Sequence, residues 1–223
     1  MQKSRIEWTD YTANPIKGVC KMGCNYCYAI KMYKRFKWDT DVTYDYKAFY
    51  GLEKLTSGSK IFVCSTHDMF GSWIPPVWIE DIISRARLFP WLIFIYLTKN
   101  PQNTWQYKYP KNVWLGVTVE NQEQTWRIKT LLQPEIKASL KFVSFEPLQS
   151  QINFNPVDYL TGEKVSWIII GSETGNRKEK IVPLQSWITH LLEQQADTPA
   201  FLKNNLNYIG YDLHQEYPEQ RRV

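Results

Sequence analysis

No apolar run in this sequence is long enough to cross a membrane. The longest, Trp91 to Leu97, falls far short of the roughly 20 residues that a spanning helix needs. The N-terminus, Met1-Gln2-Lys3-Ser4-Arg5-Ile6, leads into no apolar stretch. No secretory signal is therefore expected, and the expected setting is the cytoplasm. Cysteine is scarce, with four in 223 residues. That is too few for a disulfide scaffold, and in a reducing compartment the thiols stay free. Gly/Ser linkers and breaks in composition are missing too, so residues 1–223 are read as a single domain. Excess charge is also modest. Lys and Arg number 27 against 22 Asp and Glu, a net charge of +5, too weak a bias to argue for a nucleic-acid partner.

What the sequence does have is a series of short β-branched and aromatic runs. Lys60–Ser65, Trp91–Leu97, Val113–Val119, Leu140–Phe145 and Ser166–Gly171 are nearly continuous in apolar residues. Such runs fit strands buried on both faces of a parallel sheet. A first strand is expected within Asn14–Val19 and a last within Pro199–Lys203. The segments between read as helices. One opens at Pro76 with Ile79, Ile82, Ile83 and Ala86 on one face. A second follows Pro183 with Leu184, Trp187, Ile188, Leu191 and Leu192, and a third spans Glu120–Leu132. The strand runs begin 22 to 31 residues apart, the spacing of β/α units. A complete (β/α)₈ barrel takes about 250 residues, so the expected fold is α/β with parallel strands, a partial (β/α)₆-type TIM barrel. An open doubly wound sheet is the alternative. In either, a site belongs at the carboxyl ends of the strands.

Three of the four cysteines fall within eight residues, in Gly18-Val19-Cys20-Lys21-Met22-Gly23-Cys24-Asn25-Tyr26-Cys27-Tyr28. Cys20, Cys24 and Cys27 on one loop, with Gly18 and Gly23 allowing tight turns, can wrap one metal centre. In a [4Fe–4S] cluster, three cysteine ligands leave one iron open to a further ligand. Structural zinc is the competing reading. It needs a fourth ligand, for which Cys64 and His67 are the nearby options.

The C-x₃-C-x-aromatic-C spacing, with Tyr26 as the aromatic, resembles the signature of radical S-adenosylmethionine (SAM) enzymes. Further blocks are Ile6-Glu7-Trp8-Thr9-Asp10, Trp114–Asn121, Phe142–Leu148 and Trp167–Gly175. They resemble a short phage-associated branch of that superfamily, distantly similar to spore photoproduct lyase. The resemblance implies the radical SAM fold, with a [4Fe–4S] cluster on Cys20, Cys24 and Cys27 that cleaves SAM to a 5′-deoxyadenosyl radical. It implies SAM contacts from Tyr26, from Ser65, Thr66 and Asp68 after the second strand, and from Glu120 and Gly171. A flavodoxin or ferredoxin is the implied reductant. Glu120 as a helix N-terminal carboxylate, Gly171 as an ordinary strand end and Cys64 as a small core residue are the plainer alternatives.

Glu146 and Glu173 directly follow strand runs, and Lys203 follows the last. Two carboxylates there can accept from a ring N–H and an exocyclic amine, while Trp8, Trp73, Trp114 and Tyr28 offer flat faces for stacking. Trp8, Asn14, Tyr28 and Trp114 are the expected substrate contacts, and Glu146, Glu173 and Lys203 the expected catalytic groups. The expected substrate is a small planar nitrogen heterocycle of deazapurine type. The specific expectation is queuine lyase activity, C–N cleavage that releases 7-aminomethyl-7-deazaguanine in queuine salvage. The alternatives are a lyase acting on nucleic acid, for which the basic stretch Lys31–Lys37 is the relevant feature, and a zinc-stabilised binding module with no catalysis.

Overall fold

The computed structural model describes residues 1–209 and 214–218. Its strands are β1 (Gln2–Lys3), β2 (Tyr11–Ala13), β3 (Ile16–Lys17), β4 (Thr43–Tyr44), β5 (Lys60–Val63), β6 (Ile93–Thr98), β7 (Val113–Thr118), β8 (Leu140–Phe145), β9 (Trp167–Ile170) and β10 (Ala200–Leu202). The helices are α1 (Tyr28–Phe36), α2 (Pro76–Leu88), α3 (Trp126–Leu131) and α4 (Gln185–Gln194). A mixed α/β, mostly parallel sheet of eight strands runs β1-β2-β5-β6-β7-β8-β9-β10. The pairs β2–β5, β5–β6, β8–β9 and β9–β10 are parallel, and the short β1 joins β2 antiparallel. Among the described residues no pairing closes the sheet into a barrel.

The chain divides into two compact units, residues 1–115 with 136–139, and residues 116–135 with 140–223. In the first, Ile61, Phe62 and Val63 of β5 and Ile93 to Tyr96 of β6 are buried, and α2 covers them with Ile79, Ile82, Ile83 and Ala86. These are the apolar positions expected of that helix, and Pro76 opens it as expected. In the second unit, Phe142, Val143 and Phe145 of β8 and Ile168, Ile169 and Ile170 of β9 are buried. Side chains buried on both faces are why these strands read as continuous apolar runs.

Two expectations need correction. The first parallel strand of the sheet is β2, not a segment within Asn14–Val19. Ile16–Lys17 instead pairs antiparallel with β4 in a separate two-stranded ribbon. Pro15 lacks an amide hydrogen and cannot continue the ladder, so the chain leaves the sheet after Ala13. The helix expected over Glu120–Leu132 shrinks to a single 3-10 turn at Gln122–Gln124 and the six residues of α3.

Candidate functional site

In the first unit the cysteine loop leaves β3 and ends at Cys27, the N-cap of α1. Gly18, at φ +90°, starts it. A Cβ there would stand 2.2 Å from the Asp41 carbonyl oxygen, so no other residue fits this turn. The Gly18 amide donates to Tyr33 Oη of α1 at 2.7 Å, tying the loop's start to the helix at its end. Cys20, Cys24 and Cys27 are free thiols, all partly accessible. Burial pushes the Cys20 thiol above its ordinary pKa, while backbone amides of Met22 and Asp68 donate toward its sulfur and pull the other way.

Beside the loop lie the carboxyl ends of β5 and β6. The buried Asp68 carboxylate accepts from Phe70 N (3.0 Å), Thr98 Oγ1 (2.7 Å), Lys99 N (2.8 Å) and Asn100 Nδ2 (2.9 Å). Asn100 Nδ2 also meets Met22 Sδ at 3.2 Å, and Lys99 Nζ lies 5.7 Å from the centre of the Tyr26 ring. Ser65 Oγ donates to Asn14 Oδ1 at 3.1 Å, and Tyr28 Oη donates to the Ser65 carbonyl at 2.9 Å. Thr66 is half-buried next to them. The chain thus gathers Asn14, Tyr28, Ser65 and Asp68 with the cysteine loop at one end of this unit. Thr98 and Asn100 complete the cluster. Sequence reasoning missed them, although the polar triplet Thr98-Lys99-Asn100 stands directly after an apolar run.

His67 is fully used. Trp73 Nε1 donates to its Nε2 at 3.0 Å. An indole N–H only donates, so Nε2 is the acceptor and Nδ1 carries the proton toward the Gly18 carbonyl at 3.3 Å. Burial lowers its pKa, so the ring is held neutral as a brace rather than placed as a base. Cys64, with its thiol pushed up to about 12 by complete burial, is a core residue.

Trp8 and Trp114 are corrected. Trp8 is 1% exposed with its ring 4.8 Å from Phe62, and Trp114 is buried within β7. An indole is the largest apolar side chain available, and the core takes both. Neither presents an open ring face.

In the second unit Glu146 follows β8, Gly171 to Glu173 follow β9, and Lys203 follows β10. Lys203 Nζ pairs with Glu146 Oε1. A Cβ on Gly171 would lie 2.9 Å from Glu146 Cδ and from Lys203 Cδ. The glycine makes room for this ion pair. Glu173, buried, is held bidentately by Arg177, Nε to Oε1 at 2.9 Å and Nη2 to Oε2 at 2.8 Å. Glu120, buried at the end of β7, takes Arg127 Nη1 at 2.7 Å, and the same nitrogen donates to the Thr118 carbonyl. Glu120 also stands directly before Asn121, the N-cap of the 3-10 turn that leads into α3. Glu173 and Glu120 were expected to face ligand groups, but each has a guanidinium from its own unit. A buried carboxylate without such a partner would be costly. The i,i+4 spacing of Glu173 and Arg177 was the available signal.

Among the described residues no group of three or more His, Cys, Asp or Glu side chains is drawn together as a metal-ion site. The loop fits a metal centre in donor chemistry, with three free thiols and backbone amides on one sulfur, but its thiols are not gathered as ligands. No curated protein and no solved structure matches the chain. No radical SAM family model matches either, and the family that does match overturns that resemblance. The family model covers residues 3–220, and the chain belongs to the family described as "Protein of unknown function (DUF5131)".

Proposed function

We propose that this chain is an iron–sulfur enzyme, with a [4Fe–4S] cluster carried by Cys20, Cys24 and Cys27 and with SAM as its second cofactor. The observation that supports this best is the link between the cysteine loop and the strand ends. The Asp68 carboxylate holds Thr98 and Asn100, Asn100 reaches Met22 inside the loop, and the Asp68 and Met22 amides act against the burial that raises the Cys20 thiol's pKa. When bound, such a cluster supplies the electron that cleaves SAM reductively. The chain's own contribution is positioning. Asp68, already accepting four hydrogen bonds, orients β5 against β6. Thr66 and the acceptor side of the Ser65 hydroxyl, whose proton goes to Asn14, are left to meet a polar cofactor group.

The proposed substrate is a small planar nitrogen heterocycle, with queuine as the compound to assay for C–N cleavage. Glu146, 21% exposed beside Lys203, is the carboxylate with room to accept from a ring N–H. With this reading go a partial (β/α) barrel, a cytoplasmic setting and a flavodoxin or ferredoxin reductant. The sheet's parallel order supports the barrel, and the absence of a membrane-spanning helix among the described residues is compatible with that setting.

Anaerobic reconstitution tests it. About four irons and four sulfides per chain, lost in Cys20→Ala, Cys24→Ala and Cys27→Ala, together with deoxyadenosine release from SAM and dithionite, are expected. One zinc per chain and no SAM cleavage overturns the proposal. If SAM is cleaved but queuine gives no deazaguanine product, only the substrate assignment falls.

A further inference from the structure

The outer face of α1 carries Lys31, Lys34 and Arg35, with Lys37 at the helix end, all exposed. Among the described residues none of these four forms an ion pair. Tyr33 and Ala29 anchor the opposite face in the core. Phe36 and Trp38, 50% and 47% exposed, stack at 5.2 Å with an interplanar angle of 22°, and the Arg35 guanidinium lies 5.3 Å from the Phe36 ring centre. Other aromatics of this chain are exposed too, Trp91 and Trp105 among them, so exposure alone does not mark this segment. What does mark it is that the Phe36 ring, half in water, meets both the Arg35 guanidinium and the Trp38 ring within a segment that carries three further cations. The net charge of +5 is spread too thinly to point to a partner, whereas this placement concentrates it.

We propose that this face binds single-stranded nucleic acid, with Lys31, Lys34, Arg35 and Lys37 on phosphates and a base adding to the Phe36–Trp38 stack. Charge complementarity favours a polyanion, and ring faces favour one with unstacked bases over a duplex. An anionic membrane fits less well. A helix lying in a lipid interface needs an apolar face along its length, and the apolar face of α1 is spent on the core. Asp39 and Asp41, exposed just beyond Trp38, limit the footprint to the helix side. This inference does not depend on the chemistry of the cysteine loop.

The test uses the full chain and a fluorescein-labelled 15-nucleotide oligo-dT or oligo-U, titrated by anisotropy between 50 and 200 mM salt. Expected are saturable binding and quenching of tryptophan fluorescence that disappears in Trp38→Ala. Trp38→Ala weakens binding about tenfold, on the scale of one base–aromatic stack. Lys34→Gln/Arg35→Gln lowers the slope of log K against log salt by about 1.4, the single-strand value for two lost phosphate contacts. Circular dichroism confirms that both exposed-site variants stay folded. Unchanged affinity in both variants overturns the proposal. So does equal competition by heparin and oligo-dT with no loss in Trp38→Ala, which would mark plain polyanion binding. Anionic vesicles that bind the chain where the oligonucleotide does not would also overturn it.

Discussion

Burial sets how His67, with a partner on each ring nitrogen, answers to pH. The folded pKa lies below the ordinary value, so below about pH 6.5 the unfolded chain binds the proton that the folded chain refuses. Stability is therefore whole above that pH and falls as pH drops through the ordinary histidine range, until the lower folded pKa is reached. The thermal midpoint should fall between about pH 7.5 and 5.5, and His67→Gln should flatten that fall. An identical pH profile in the variant would show that His67 is not its source. Gly18 is as tightly bound to its place. Gly18→Ala must open φ +90° and clear a main-chain oxygen at 2.2 Å. A loss of about 3 kcal/mol or more in urea unfolding is expected, whereas Gly23→Ala, with open space around its Cβ, should cost only about 1 kcal/mol for its backbone angle.

At the scale of elements, one side chain clasps β5 to β6. Asp68 takes four donors from Phe70 and the Thr98–Asn100 segment. Asp68→Ala strands donors that burial denies to water, so about 3 kcal/mol of destabilisation is expected, and Asp68→Asn, which keeps an acceptor oxygen, should lose less. If alanine costs no more than asparagine, the clasp contributes little. A second tie joins the β3–β4 ribbon to α2. Tyr44 Oη donates to Asp81 at 2.5 Å, and Arg85 holds the same carboxylate. Within the second unit, Gly116 of β7 lies under the Phe142 ring, where a Cβ would come within 2.4 Å. Gly116→Ala should therefore destabilise by about 1–3 kcal/mol, as overpacking does, and chemical denaturation would measure it.

Across the whole molecule the four thiols divide by burial. Cys20, Cys24 and Cys27 are partly accessible and Cys64 is enclosed. A thiol titration of the native protein should count three groups, Cys20 reacting more slowly than the other two because burial raises its pKa, with the fourth appearing only in denaturant. Four groups without denaturant would place Cys64 outside the core. The thiolate is the reactive form, so burial slows Cys64 twice, by access and by its raised pKa.

The sequence alone determined the α/β class, the parallel strands after the first and the helix at Pro76. Residues buried on both faces or on one helical stripe carry that information in their own periodicity. It also determined the cysteine loop, since three thiols and two glycines on one loop need no long-range partner to be seen. It misjudged the opening strand because Pro15, not hydrophobicity, decides where the chain leaves the sheet. Only the tertiary structure decided which polar groups have partners. Arg177 and Arg127 take Glu173 and Glu120, Trp73 takes His67, Lys203 takes Glu146, and the core takes Trp8 and Trp114. Apart from the i,i+4 pair, these choices depend on which elements lie side by side. Burial makes an unpaired polar group costly, so the fold settles them and local sequence does not.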